Sequence, residues 1–122
     1  MISAILLAAG MSKRMRGENK LIKKIKGVSL INYSINNILS SPIDELIIVL
    51  GYEKEKVKKK IIQNKKIKIV YNKNYMTGVA SSIKTGLKKL SKKNKAFFIC
   101  LGDMPMINQN IYSRLINARK NN

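Results

Sequence analysis

Apolar residues along this chain are grouped in four short runs, at residues 2–7, 45–50, 67–71 and 96–101. These runs are nearly continuous rather than alternating, which is typical of strands covered on both faces of a parallel sheet. Each run is followed by a segment in which apolar residues recur every three or four positions, and this spacing predicts a helix. Repeated β–α units with right-handed crossovers predict an α/β fold with a doubly wound, mostly parallel sheet and helices on both faces.

Four helical faces are predicted from this spacing. They consist of Ile31, Ile35 and Ile38, then Val57 and Ile61, then Val79, Ile83, Leu87 and Leu90, and finally Ile111, Leu115 and Ile116. Ligands of doubly wound sheets bind beyond the carboxyl ends of the strands. We therefore expect the chemistry in the loops after the first, third and fourth strands.

The composition limits the possible functions. A chain of 122 residues is long enough for one domain with a substantial core. The net charge of +19 comes from 21 lysines and four arginines against six acidic residues. The lysine runs lack interleaved aromatic residues, so we expect no specific nucleic-acid binding, although the charge would attract a polyanionic ligand. The absence of histidine excludes catalysis by that side chain.

The first ten residues and the one cysteine bear on the compartment. The opening segment has no basic region and only a short apolar run before Gly10, which does not fit a signal peptide or a membrane span. Cys100 lies within an apolar run, where we expect it to be buried, and it has no cysteine partner for an internal disulfide. We therefore expect a cytoplasmic protein without a membrane anchor.

The loop after the first strand has the composition of a phosphate-binding loop. The small residues Ala8, Ala9 and Gly10 lead from a buried strand into a stretch that contains Arg14 and Lys20. Small residues allow the backbone to approach a ligand, its N–H groups can bind phosphate oxygens, and basic side chains neutralise their charge. A strand-to-helix turn with solvated basic residues accounts for the same composition equally well. The loop matches neither the P-loop nor the dinucleotide-binding pattern.

Residues 7–15 read Leu-Ala-Ala-Gly-Met-Ser-Lys-Arg-Met, with a lysine further on. This string resembles the signature Leu-Ala-Ala-Gly-x-Ser-x-Arg-Met of the molybdopterin cytidylyltransferases and related MobA-like NTP transferases. One departure is Arg16, which precedes Gly17 where many members have glycine directly after methionine. The resemblance implies that the loop wraps a nucleoside triphosphate. The implied nucleotide-binding residues here are Leu7, Ala8, Ala9, Gly10 and Ser12, and the implied phosphate-holding catalytic residues are Arg14 and Lys20.

Small polar residues follow the third strand, at the start of a predicted helix. Free backbone amides and the hydroxyls of Ser81 and Ser82 could read the edge of a base, but helix capping by Thr77 or Ser81 is the stronger interpretation of these residues alone. Residues 72–87 are, however, similar to the family pattern Asn-x-x-x-x-x-Gly-x-x-Ser-Ser-x-x-x-Gly-Leu. In cytidylyl-transferring relatives this segment recognises cytosine. The resemblance thus implies that Gly78, Ser81 and Ser82 bind CTP.

A carboxylate follows the fourth strand, in a turn made rigid by Gly102 and Pro105. Asp103 at this position is well placed to hold Mg²⁺ against triphosphate oxygens, although a turn aspartate can also bond its own backbone. No other acidic residue follows Lys56. The motif resembles the Gly-Asp-Met-Pro of the same family, whose aspartate binds the catalytic metal. The resemblance implies that Asp103 is a catalytic residue and the ligand of Mg²⁺.

The resemblance covers residues 5–116 and implies an Mg²⁺-dependent nucleotidyltransferase that transfers CMP from CTP to a phosphorylated acceptor, molybdopterin, with release of pyrophosphate. Family members are longer, so we expect residues 1–122 to be the nucleotide-binding part without the acceptor-binding part, and to transfer nucleotide poorly. Two alternatives stay open. The acceptor could be another phosphorylated cofactor or sugar, or the chain could be a non-catalytic nucleotide- or nucleic-acid-binding module. Gly27 is interpreted as a turn residue and Gly51 as a structural one.

Overall fold

The computed structural model describes residues 2–10, 20–22, 24–25, 27–93 and 96–101. Strands and helices alternate along this part of the chain, as the apolar pattern predicts. The strands are β1 (Ile2–Ala8), β2 (Lys24–Ile25), β3 (Val28–Ser29), β4 (Glu45–Leu50), β5 (Ile67–Tyr71) and β6 (Ala96–Leu101). The helices are α1 (Leu30–Leu39), α2 (Lys54–Lys60) and α3 (Val79–Leu87).

The central sheet has four strands in the order β5-β4-β1-β6, and all its neighbouring pairs are parallel. Every residue of β1 is buried, and so is every residue of β4. In the centre of the sheet, Leu6 is in register with Ile48 on one side and with Cys100 on the other. Cys100 is buried, as its position in an apolar run predicts.

Helices cover both faces of the sheet. On one face, Leu6 of β1 and Leu46 of β4 belong to the same apolar cluster as Ile35 of α1 and Val57 of α2. On the other face, the neighbouring strand residues pack with Ile83 of α3 and with Leu90 beyond the end of that helix. The prediction of a doubly wound parallel sheet is therefore confirmed.

The buried face of α3 differs from the predicted one. The apolar spacing places Val79, Ile83, Leu87 and Leu90 on the buried side. In the structure Val79 is 59% exposed and Leu87 is 37% exposed, whereas Ser82 and Gly86 are buried. The prediction was wrong for Val79 and Leu87 because it followed apolar residues, while close helix-to-sheet packing at this position requires small ones.

Gly86 shows how close this packing is. A Cβ atom at position 86 would lie 2.7 Å from Cγ2 of Ile5 and 3.2 Å from Cγ2 of Val49. The shorter of these distances is not found between real side chains, so any larger residue would displace the helix from β1 and β4. The absence of a side chain at Gly86 therefore sets the distance between α3 and the sheet.

A short hairpin precedes α1, and the apolar pattern did not reveal it. Strands β2 and β3 pair in antiparallel fashion, with Lys24 opposite Ser29 and Ile25 opposite Val28. Gly27 lies between the two strands with a φ of +86°, which confirms its prediction as a turn residue. Two-residue strands are too short to show an alternating pattern. The predicted helix around Leu115 lies outside the described residues.

A buried carboxylate joins several elements at the amino edge of the sheet. Glu45 is 2% exposed and accepts hydrogen bonds from Ser3 Oγ at 2.6 Å, Lys68 Nζ at 2.9 Å and the Ser91 N–H at 3.0 Å. Burial alone would raise the pKa of Glu45, but the hydrogen bonds and the charge of Lys68 together lower it below its ordinary value. Glu45 therefore connects β1, β4, β5 and the chain after α3.

None of the helices in the described part of the chain has the length and apolar character needed to cross a lipid bilayer.

Candidate functional site

The four strands are parallel, so the described residues that follow β1, β4 and β5 all lie at the carboxyl edge of the sheet. Ala9 and Gly10 follow β1, Gly51 follows β4, and Asn72 follows β5. The last residue of β6, Leu101, is in register with Leu7 of β1. The ends of β1 and β6 are therefore side by side at the point where the strand order reverses, which is where doubly wound sheets bind their ligands.

The first part of the predicted phosphate loop is mostly buried. Leu7, Ala8 and Ala9 are buried, whereas Gly10 is exposed and has open space around the position of a Cβ atom. The Ala9 carbonyl accepts a hydrogen bond from the Tyr52 N–H at 3.0 Å, which fixes the end of β1 against the loop after β4. Of these four predicted contacts, Gly10 is thus the one that faces outward.

The remaining residues of that loop are described only in small part. The backbone of Lys20 begins a short 3₁₀ helix, Lys20–Ile22, which contacts α1 and α2. Ser12 and Arg14 lie outside the described residues, and so does Asp103 of the motif after β6. Their roles remain predictions.

Tyr75 connects the segment after β5 to the first loop. A Cβ atom at Gly51 would lie 2.5 Å from Tyr75 Cβ and 3.0 Å from Ala9 Cβ, so Gly51 lies directly between these two residues. The ring of Tyr52 lies 6.2 Å from that of Tyr75, measured between centroids, at an interplanar angle of 49°. This geometry supports the interpretation of Gly51 as a structural residue. The start of the predicted phosphate loop and the predicted base-reading segment therefore pack on the same residue.

Asn72 organises the segment after β5 through its side chain. Its Nδ2 donates hydrogen bonds to Ser81 Oγ at 2.8 Å and to Ser82 Oγ at 2.9 Å. Its Oδ1 accepts a hydrogen bond from the Asn74 N–H at 2.9 Å. Asn72 is 4% exposed, so the amide itself is shielded from water and relies on these partners. The amide thus ties the start of α3 to the end of β5.

The two serine hydroxyls predicted to read a base therefore bond within the protein. Ser82 is 5% exposed and accepts from Asn72, and Ser81 Oγ lies 3.0 Å from the Asn74 carbonyl and 2.9 Å from that of Gly78. Gly78 is exposed, with φ +112° and ψ 178°, a conformation that residues with a Cβ rarely adopt. The outward-facing part of this segment thus includes the backbone of Gly78, beside the exposed side chains of Met76 and Val79.

Sequence reasoning placed Asn72 in the motif but gave it no role. The available signal was an asparagine directly after a buried strand. Two serines follow it nine and ten residues later, at the start of a helix. The signal is difficult to use from sequence alone, because the side-chain partners are defined only when the chain turns back onto the sheet.

A cavity of about 530 Å³ lies beside this segment, at the ends of β4 and β5. Its lining residues are Gly51, Glu53, Lys54, Glu55, Lys56, Tyr71, Asn72, Lys73 and Tyr75. Lys54 Nζ lies 4.8 Å from the centroid of the Tyr71 ring, and Lys58 Nζ lies 5.8 Å from it. A hydrogen bond with Tyr71 raises the pKa of Lys58. Ammonium groups and aromatic rings at this edge suit an anionic ligand that carries a planar ring.

Within residues 2–10, 20–22, 24–25, 27–93 and 96–101, no group of three or more His, Cys, Asp or Glu side chains could hold a metal ion. The predicted Mg²⁺ ligand, Asp103, lies beyond these ranges. A metal site on the described residues alone is therefore not supported.

Comparison with known proteins gives a family match along nearly the whole chain. The family model of the MobA-like NTP transferase domain matches residues 4–122. The match confirms the resemblance inferred from the motifs at the level of the family.

Curated relatives are similar over the same region but are much longer. Bifunctional protein GlmU of Caldicellulosiruptor saccharolyticus is 30% identical over 118 residues, which are 95% of this chain and 25% of that protein. Bifunctional protein GlmU of Thermosipho africanus is 34% identical over 115 residues, which are 93% of this chain and 24% of that protein. The chain thus spans about a quarter of the length of these relatives.

Solved structures share the fold. A nucleotidyl transferase from Methanothermobacter thermautotroptrophicus matches with a TM-score of 0.86 at 25% identity, over 96% of this chain and 57% of that one. The 4-diphosphocytidyl-2C-methyl-D-erythritolsynthase from Anaerococcus prevotii matches with a TM-score of 0.79 at 24% identity, over 100% of this chain and 52% of that one. The chain therefore covers somewhat more than half of each structure.

Proposed function

Because this chain belongs to the MobA-like NTP transferase domain family, we propose that it is the nucleotide-binding part of an Mg²⁺-dependent cytidylyltransferase. The proposed reaction transfers CMP from CTP to a phosphorylated acceptor, molybdopterin, in the cytoplasm. One observation carries the proposal beyond the family: Ala9 of the first loop and Tyr75 of the segment after β5 both pack on Gly51 at the carboxyl edge of the sheet. A nucleotide at this edge would reach both segments, with its phosphates at one and its base at the other.

The chemistry requires no nucleophilic side chain from the protein. An oxygen of the acceptor's terminal phosphate attacks the α-phosphorus of CTP, a new P–O bond forms, and the bond to the bridging oxygen breaks to release pyrophosphate. Arg14 and Lys20 are the proposed cations that stabilise charge on the triphosphate. Asp103, which follows β6 by two residues, is the proposed ligand of Mg²⁺, and the bound ion would neutralise the triphosphate oxygens.

Base recognition is assigned to the segment from Asn72 to Ser82. Its serine hydroxyls are bonded to Asn72 and to backbone carbonyls, so the proposal gives the direct contacts to the exposed backbone around Gly78. Backbone N–H and C=O groups held in fixed positions can discriminate the donor and acceptor pattern of a base edge. The hydroxyls of Ser81 and Ser82 would then act by holding that backbone.

The identity of the acceptor distinguishes the main proposal from its alternative. The protein names found in the comparisons differ: some relatives are called bifunctional protein GlmU, and one structural neighbour is named as an inositol-1-phosphate CTP transferase. The alternative proposal is therefore the same nucleotidyl transfer to another phosphorylated cofactor or to a sugar phosphate.

A thermal-shift screen with the four nucleoside triphosphates, each with and without Mg²⁺, tests the proposal. We expect the largest stabilisation with CTP and Mg²⁺. A ligand at one hundred times its Kd stabilises the folded state by about 2.7 kcal/mol, which is readily detected. Equal shifts for all four nucleotides would contradict the assignment of CTP but not that of the phosphate loop. The absence of any shift would contradict nucleotide binding altogether.

Two further measurements separate the alternatives. Pyrophosphate release from CTP in the presence of molybdopterin, or of sugar phosphates, identifies the acceptor that this chain or its longer form uses. Filter binding with single-stranded and duplex nucleic acid at physiological salt tests the binding-module alternative. We expect weak, sequence-independent nucleic-acid binding that decreases steeply with salt, because the lysine-rich surface offers phosphate contacts without base readout.

A further inference from the structure

We propose that Asn72 is a positioning residue that sets base selectivity through the backbone around Gly78, without contacting the nucleotide itself. This inference rests on the proposed function, because it assumes that the segment after β5 faces the base. Discrimination between bases, which the hydroxyls of Ser81 and Ser82 were expected to provide, is thus assigned to the buried amide of Asn72.

The hydrogen bonds and the burial of Asn72 argue against a direct contact between its amide and a nucleotide. Both protons of Nδ2 are directed to the hydroxyls of Ser81 and Ser82, at 2.8 and 2.9 Å. The carbonyl oxygen accepts from the Asn74 N–H at 2.9 Å. The Asn72 side chain is 4% exposed, and both N–H donors of its amide are already used. It therefore has no donor left for a ligand. Its influence on a nucleotide must therefore be indirect.

Asn72 is itself anchored to the sheet. Its backbone N–H donates to the Leu50 carbonyl at 2.7 Å, which extends the pairing of β4 and β5 by one residue. The position of the Asn72 side chain is thus fixed by the most buried part of the molecule. Rigid support of this kind is what holds a recognition group within about 0.5 Å of its productive position.

The network that begins at Asn72 closes the turn before α3. The Asn74 carbonyl accepts from the Thr77 N–H at 3.0 Å and from Thr77 Oγ1 at 2.8 Å, and Ser81 Oγ lies 3.0 Å from the same oxygen. Ser81 Oγ also lies 2.9 Å from the Gly78 carbonyl. Gly78 is therefore held between the turn at Asn74 and the helix start at Ser81, and both of these are bonded to Asn72.

This arrangement predicts that loss of Asn72 changes base selectivity more than phosphate affinity. The triphosphate is assigned to the first loop, which contacts the segment through Tyr75 and Gly51 rather than through Asn72. A turn without its central amide would sample several conformations, so a base edge would meet no fixed pattern of donors and acceptors. The part of the affinity that depends on the identity of the base would then decrease.

The experiment compares Asn72→Ala with the wild type, using CTP, GTP and inorganic tripolyphosphate as probes in the presence of Mg²⁺. We expect the ratio of GTP Kd to CTP Kd to decrease about tenfold, the scale expected when buried hydrogen bonds are lost. The Kd of tripolyphosphate should stay within about twofold, since it has no base. Amide hydrogen exchange at Thr77 should accelerate in the same variant, because its N–H bonds to the turn that Asn72 holds.

A matched control is available on the other face of the sheet. Asn32 of α1 also uses its side-chain amide to hold backbone, donating to the Lys60 carbonyl at 2.6 Å and accepting from the Ile62 N–H at 3.3 Å. Asn32→Ala should reduce stability without changing the ratio of the two nucleotide Kd values. Ser82→Ala and Ser81→Ala each remove one acceptor of the Asn72 amide. If Asn72→Ala does not fold, these milder variants take its place, and each should lower the ratio.

The outcomes distinguish this inference from the proposed function. A wild-type protein that binds CTP no better than GTP or tripolyphosphate would overturn the assignment of the base site, and with it this inference. This inference alone would be overturned if the wild type is selective and its variants keep the wild-type ratio of GTP Kd to CTP Kd. The variants concerned are Asn72→Ala, Ser81→Ala and Ser82→Ala. An equal loss of affinity for CTP, GTP and tripolyphosphate would identify Asn72 as a general structural residue and would also overturn it.

Discussion

Tyr75 packs on Gly51 so closely that a Cβ atom at position 51 would lie 2.5 Å from the Cβ of Tyr75 and 2.8 Å from its Cγ. Rotation about χ1 moves Cγ but leaves Cβ in place, so it cannot relieve the clash with Tyr75 Cβ. The loop after β4 and the segment after β5 are therefore fitted to each other at this point.

We expect Gly51→Ala to displace Tyr75 and to destabilise the fold by roughly 1–3 kcal/mol, the usual cost of adding a methyl group to a packed site. Nucleotide affinity should also decrease, because Ala9 and Tyr75 would no longer both pack on residue 51. Urea denaturation measures the first effect and titration with CTP and Mg²⁺ the second. Gly10→Ala is the stability control, since Gly10 has open space around it and its free energy of unfolding should change by less than about 0.5 kcal/mol.

Gly86→Ala should destabilise the protein although alanine favours helices. Alanine gains about 1 kcal/mol over glycine in a helix interior. Its Cβ, however, would lie 2.7 Å from Cγ2 of Ile5, and the resulting displacement of α3 should cost more than that gain. Lys84→Ala, at an exposed position of the same helix, should have little effect on stability. A Gly86→Ala variant as stable as the wild type would contradict the close packing of α3.

The stability of the protein should depend on the protonation of Glu45. Its pKa is lowered in the folded state, so the ionised form contributes stability above the ordinary value of 4.5. This contribution should be lost as the pH falls through the folded-state pKa. Chemical denaturation between pH 7 and pH 3 should therefore show a steeper loss for the wild type than for Glu45→Gln.

Lys68→Gln provides an intermediate case for the same measurement. This variant removes the ion pair of 2.9 Å but keeps the hydrogen bonds that Ser3 and the Ser91 N–H donate to Glu45. Its stability curve should lie between those of the wild type and Glu45→Gln. Identical curves for all three proteins would show that Glu45 is not linked to folding.

Asp103→Asn should abolish the dependence of CTP binding on Mg²⁺ while leaving the protein folded. Asparagine keeps the size and the turn chemistry of aspartate but lacks the charge that a hard cation prefers. Calorimetric titration of CTP with and without Mg²⁺ measures the effect, and circular dichroism reports the fold. Wild-type Mg²⁺ dependence in the variant would mean that the metal ligand lies elsewhere. Unfolding would indicate a structural role for Asp103.

The sheet could be predicted from sequence because its central strands are buried on both faces. Residues such as Ile5 and Ile48 lie in short runs in which nearly every position is apolar, and such runs are typical of strands in the middle of a parallel sheet. The buried face of α3 could not be predicted in the same way. Ser82 and Gly86 face the sheet because they are small, and a search for apolar spacing favours the exposed Val79 and Leu87 instead.

The candidate site was predicted at the level of segments rather than of contacts. The motifs located the loops after β1 and β5 at one edge, and parallel strand order made their proximity predictable. The partners of individual side chains depend on how each loop folds back. Contact between Ser82 and the nucleotide stays a prediction; in the structure the Ser82 hydroxyl accepts from Asn72, and no sequence spacing specifies that bond.

The central position of β1 has a consequence for the order of folding during synthesis. This strand is synthesised before both of its neighbours, since it pairs with β4 from residue 45 onward and with β6 from residue 96 onward. Sheets that depend on such distant pairings form slowly, and their apolar segments stay exposed to aggregation in the meantime. β1 thus acquires its second neighbour only after β4 and β5 have been made. Residues 2–8 would then be a binding segment for chaperones until β6 has been made.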